Sequence, residues 1–199
     1  MLVTSNAHAA LLGVTPGLPD ILSNSTGVYN YNANSGLISF TAQAHAITFD
    51  RITSTPIVGG TYAANFLLNN AGNYAGSVAG DDLVITGSFT YNSISYSGVL
   101  LTGEVNNFGY LDTGVGAIFD YTFTPTGGAL FSFYNNGLGY GGDIAFVESS
   151  NFANSWTSDH TGTPVKHDTA AHPGTPEPSS MVLLGMGILG LFGLGKKKI

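Results

Sequence analysis

The sequence predicts an all-β fold, an antiparallel β-sandwich of jelly-roll-like or immunoglobulin-like type, followed by a single C-terminal transmembrane helix. Three observations lead there. Apolar and polar residues alternate with a period of two along much of the chain, as a half-buried strand requires. Gly- and Asn-rich turns interrupt the alternation about every ten residues, the spacing of short antiparallel strands. The chain then ends in an uncharged apolar run closed by lysines.

The elements follow in chain order. Residues 1–9 read as the remnant of a signal peptide. Ala7-His8-Ala9 fits the small-x-small cleavage pattern with Ala7 and Ala9 as its small residues. Too little apolar sequence precedes it, so the coding frame is expected to begin upstream of Met1. Residues 10–156 form the sandwich. Ile38, Phe40, Ala42 and Ala44 share one face, as do Tyr62, Ala64, Phe66 and Leu68, and Leu83, Ile85, Phe89 and Tyr91. The clearest case is Ala117, Phe119, Tyr121 and Phe123, which alternate with Ile118, Asp120, Thr122 and Thr124. Phe119, Tyr121 and Phe123 should point inward, while Asp120 and Thr122 face water. Turns are expected at Gly80-Asp81-Asp82, Asn92-Ser93, Asn106-Asn107, Thr126-Gly127-Gly128 and Asn135-Asn136-Gly137. Residues 157–173 lose the alternation and gain Pro, Thr, His and Gly, so they read as a flexible linker. From Ser179 to Gly195 there is no charge, and as a helix of about 1.5 Å per residue that run reaches roughly 26 Å. Lys196, Lys197 and Lys198 then predict a cytoplasmic C-terminus for the precursor.

Composition narrows the function. The chain holds 5 Lys and Arg against 12 Asp and Glu, a formal net charge of -7. Nucleic-acid binding needs a basic face, which this balance cannot supply. There is no Cys, which excludes disulfides and Cys-ligated zinc or iron–sulfur centres.

Pro176-Glu177-Pro178, the short Gly- and Leu-rich span and the basic terminus together resemble the PEP-CTERM sorting signal of Gram-negative bacteria, over about residues 174–199. The family usually ends in arginines, where this chain has lysines. The resemblance implies export and an exosortase as partner. That enzyme would cut near the motif and release or transfer the protein to the cell surface or exopolysaccharide matrix. Two stretches extend the resemblance to β-rich exported proteins of this kind: Gly27-Val28-Tyr29-Asn30-Tyr31-Asn32 with residues 37–41, and residues 96–105 with Phe108-Gly109-Tyr110. They bear on the fold and on no activity.

Candidates for chemistry are few, and no catalytic activity is expected. His160, His167 and His172, with Asp159 and Asp168, sit in the expected linker at spacings that match no rigid metal site. His45 has Asp50 and Arg51 nearby, but a general base needs its carboxylate within hydrogen-bond reach, and no Gly-x-Ser-x-Gly elbow is present. Asp81, Asp82, Glu104, Asp112, Asp120, Asp143 and Glu148 read as solvated turn acids, with a glycosidase pair or Ca²⁺ ligation as lesser readings. Gly139-Tyr140-Gly141-Gly142-Asp143 is only faintly like a calcium repeat. No cofactor is expected beyond that. Tyr29, Tyr31, Tyr134, Tyr140 and Trp156 are the surface candidates for a sugar-stacking platform. Asn24-Ser25-Thr26 matches a glycosylation sequon and is read as chance in a bacterial protein. The expected function is an exported, non-enzymatic surface or matrix protein. A lectin-like carbohydrate-binding module and a secreted hydrolase are the alternatives.

Overall fold

Alternating strands must bury one face, and here they do so by curling round on themselves. The structure, a computed structural model, describes residues 11–14, 17–24, 26–113, 116–135, 141–148 and 156–171. Among them run β1 (Asp20–Asn24), β2 (Tyr29–Asn32), β3 (Leu37–Thr48), β4 (Ser54–Pro56), β5 (Val58–Leu68) and β6 (Tyr74–Ser77). Then come β7 (Leu83–Tyr91), β8 (Ile94–Asp112), β9 (Gly116–Gly127), the short helix α1 (Phe131–Tyr134), β10 (Gly141–Glu148) and β11 (His160–Ala171).

Each long strand pairs antiparallel with the next in sequence: β3 with β5, β5 with β7, β7 with β8, β8 with β9, β9 with β10, and β10 with β11. The last strand then returns to the first. β11 pairs with both β1 and β2, and both of those pair with β3. β1 and β2 share one position in the ring, so the result is a closed eight-stranded antiparallel barrel of up-and-down topology. The expected sandwich is therefore incorrect. Two stacked sheets would leave edges, whereas here the β1–β11 seam joins first strand to last.

The inward parity follows the alternation. Ile38, Phe40, Tyr62, Ala64, Phe66, Leu83, Ile85, Phe119, Tyr121 and Phe123 are all buried. Eight strands enclose an interior about wide enough for side chains to fill, and aromatic rings fill it. Tyr29 lies 4.9 Å from Phe119, Phe66 5.4 Å from Tyr121, and Phe108 5.7 Å from Phe119, centroid to centroid. Gly141 permits part of this, because a Cβ there would overlap the Phe123 ring.

Other expectations change with closure. Asn92 and Ser93 do make the β7–β8 turn, both at positive φ, as a tight hairpin requires. Asn106 and Asn107 do not turn the chain; β8 runs through them with a bulge between Val105 and Asn107. Residues 160–171, expected as linker, are β11, a full member of the barrel wall. Among the described residues no helix is long and apolar enough to cross a membrane. The expected transmembrane helix over 179–195 lies outside those residues, as do residues 1–9, Tyr140 and His172.

Candidate functional site

Among the described residues, a knot of polar groups lies inside the barrel near the seam. β10 and β11 pair so that Asp143 opposes Thr169 and Ala145 opposes His167. The next strand round, β1, sets Ser23 opposite His167. Asp143, His167, Thr169 and Ser23 are all at 0% exposure. The His167 Nδ1 lies 3.2 Å from Asp143 Oδ1, and the Thr169 hydroxyl donates to Asp143 Oδ2 at 2.6 Å. The Tyr62 and Tyr121 hydroxyls bond one another, and the Tyr62 ring sits 4.4 Å from that of His167. Burial holds both tyrosine hydroxyls well above their usual range, and the nearby Asp143 charge pushes the same way.

Ser23, His167 and Asp143 are the residue types of a nucleophile, base and orienting carboxylate. The arrangement stops short of that chemistry. Ser23 Oγ and His167 Nε2 are buried with no hydrogen-bond partner, so no bond joins serine to histidine. With every member fully enclosed, the knot ties β10 to β11 from inside through Asp143, while Ser23 of β1 lies beside it unbonded. Sequence reading missed it because its members come from three strands, one of them taken for linker.

The two ends of the barrel differ. At one, Trp156 packs edge-on against Tyr31, Phe108 and Tyr110, with centroids 4.9, 5.8 and 5.0 Å away. The Tyr31 hydroxyl donates to the Trp156 carbonyl at 2.9 Å, and the Tyr29 hydroxyl lies 2.6 Å from His160 Nδ1. Gly72 covers the Trp156 ring closely, at a positive φ, and a Cβ there would overlap the indole. Tyr29, Tyr31, Tyr134 and Trp156 are thus buried; they plug and line the barrel and offer no surface platform. His160 belongs to this plug and His167 to the polar knot, so both are buried in the barrel wall instead of lying in a solvated linker.

At the other end, Phe49 stacks on Tyr91 at 3.9 Å and Phe133 meets Phe49 at 5.2 Å. Beside them a groove of about 460 Å³ opens between β4 and the β7–β8 hairpin. Thr55, Ser88, Thr90, Ser95 and Ser97 line it, together with Pro56, Val58, Phe89 and Tyr96. No charged residue is among them. Val58 is 71% exposed.

The remaining acids serve the backbone. Asp50 accepts from the N–H groups of Ile52 and Thr53, which hold its carboxyl below the usual range, so it caps a turn while His45 faces solvent. Asp82 accepts from Val78 and Val105 and is buried. Asp120, expected in water, is buried as well. Leu12, Gly13 and Val14 cross the outside of β9 and donate three backbone N–H groups to its carboxylate. Burial raises its pKa, against the pull of those bonds. Asp81 accepts from Thr126, and Asp159 from the Ala33 N–H. Among the described residues no group of three or more His, Asp or Glu is arranged to hold a metal.

Pro176, Glu177, Pro178, Lys196, Lys197, Lys198, Ala7 and Ala9 lie outside the described residues. The comparisons with known proteins bear on most of them. The family model of the PEP-CTERM protein-sorting motif matches residues 174–198. The chain carries a PEP-CTERM sorting motif. The motif marks an exported protein, with a membrane-anchored C-terminal signal that an exosortase recognises. No curated protein and no solved structure matches the chain. The barrel's role therefore rests on its own geometry.

Proposed function

We propose that this PEP-CTERM protein is a non-enzymatic module of the cell surface or exopolysaccharide matrix. Exosortase cleavage near Pro176-Glu177-Pro178 would deliver it there. One observation carries the reading: the sorting motif follows a barrel whose interior is filled by its own aromatic side chains. Among the described residues packed rings occupy that interior, and Ser23, His167 and Asp143 are buried within it. Lys196, Lys197 and Lys198 stay on the cytoplasmic side, as basic clusters do. Intact-mass analysis of protein from the cell surface or medium tests the proposal. The mature form should end near Pro176-Glu177-Pro178, and replacing those three residues by alanines should leave the precursor in the membrane. Surface protein that retains Ile199 would refute the cleavage.

A second reading, a lectin-like carbohydrate-binding module, draws on the groove between β4 and the β7–β8 hairpin. Sugars present hydroxyls and apolar C–H faces. The groove offers five serine and threonine hydroxyls with Pro56, Val58 and Tyr96, and no charge. Calorimetric titration with the host's purified exopolysaccharide should give binding that Tyr96→Ala weakens. Unaltered binding in that variant would remove the groove from the reading.

A further inference from the structure

The outer face of the seam between β1 and β11 carries a chemistry that the polar knot does not use. Asp20 opens β1 and faces Ala170 on β11 and Thr48 on β3. Asp168 opposes Leu22, two residues along the same face, and is therefore diagonal to Asp20, at a typical separation of about 7–8 Å. Asp168 is 8% exposed. Asp20 Oδ1, Asp168 Oδ1 and Thr48 Oγ1 are all shut off from solvent without a hydrogen-bond partner. Two carboxylates with buried, unsatisfied oxygens on one face repel each other and have lost water that would screen them.

The groups facing Asp20 do not cancel that cost. From β11 come Asp168 and Lys166, and the Lys166 ammonium lies 2.6 Å from Asp168 Oδ2 with its side chain half exposed. Asp143 adds a negative charge from β10. From α1 comes Tyr134, whose hydroxyl already donates to the Thr169 carbonyl. From β3 the facing group is the uncharged Thr48.

We propose that Asp20 carries a proton beside the Asp168 charge, and that this proton locks the barrel's seam. A carboxylic acid there ends the like-charge repulsion and supplies a donor where the oxygens have none. Burial, with the Asp168 charge next, pushes Asp20 up to about 7 although Lys166 pulls it down, so the proton leaves near neutrality. The sign of the effect follows from linkage. Folded Asp20 keeps its proton to a higher pH than an unfolded Asp. The folded state therefore binds more protons between about pH 4 and about pH 7, and stability falls as pH rises through that window. β11 ends at Ala171 and the sorting motif starts at residue 174.

The test uses the full-length chain in a non-ionic detergent. The Asp20 carboxyl carbon, followed by NMR, should titrate with a midpoint near 7, and Asp168→Asn should lower that midpoint. The wild-type melting temperature should drop between pH 5 and pH 8 by at least about 4 °C more than that of Asp20→Asn. An Asp20 midpoint near 4 would overturn the proposal even if the variants failed to fold, and so would equal pH slopes in wild type and Asp20→Asn. Calcium raising the melting temperature of wild type at pH 8, and not that of Asp20→Asn, would show that a cation rather than a proton holds the seam, and the proposal would fall.

Discussion

β9 and β11 are both twelve-residue strands of one barrel wall, and they point very different side chains inward. β9 presents Phe119, Tyr121 and Phe123, each packed among other rings. β11 presents His160, His167 and Thr169, each bound to a partner from another strand. The first strand is held by area removed from water, and the second by hydrogen bonds that exist only once the barrel has closed. A closed wall thus tolerates a strand with little hydrophobic pattern, provided that its neighbours satisfy it.

Substitutions can break or sharpen that contrast. The largest effect is expected from Phe119→Ala, which empties a core site of β9 and should cost roughly 3–5 kcal/mol in denaturant unfolding. Asp143→Ala should come next. It takes the acceptor from both Thr169 and His167 on β11, and leaving such donors buried costs about 1–3 kcal/mol. A loss as large as that of Phe119→Ala would mean that the two strands are held equally strongly. Asp120→Ala removes the acceptor of three backbone N–H groups on the outer side of β9 and should cost about 1 kcal/mol. Faster hydrogen exchange at Leu12, Gly13 and Val14 would report the detached segment. Thr122→Ala, on the outer face of β9, should change stability by about 0.5 kcal/mol or less. A cost near that of Phe119→Ala would show that β9 is buried on both faces.

The same contrast explains what could be read in advance. Phe119, Tyr121 and Phe123 were legible because parity is a local property: neighbouring side chains leave opposite faces whatever the strand pairs with. Asp120 was misread by the same rule. Parity put it outside correctly, but not the passage of residues 12–14 over it. Tyr29, Tyr31 and Trp156 form no surface platform, because the contacts that bury them come from residues distant in sequence and leave no local signal. The knot of Ser23, Asp143 and His167 carried no local signal at all.

By itself, then, the sequence determined the β class, the inward row of each alternating strand and the sorting motif, since all three are written in contiguous residues. Only the tertiary structure decided between sandwich and barrel. Alternation is identical in both, and the choice lies in whether the first strand meets the last. That meeting, at the seam of β1 and β11, made a wall of the expected linker, sealed His167 against Asp143, and set Asp20 beside Asp168. Long-range pairing is a property of the whole chain, and no window of sequence contains it.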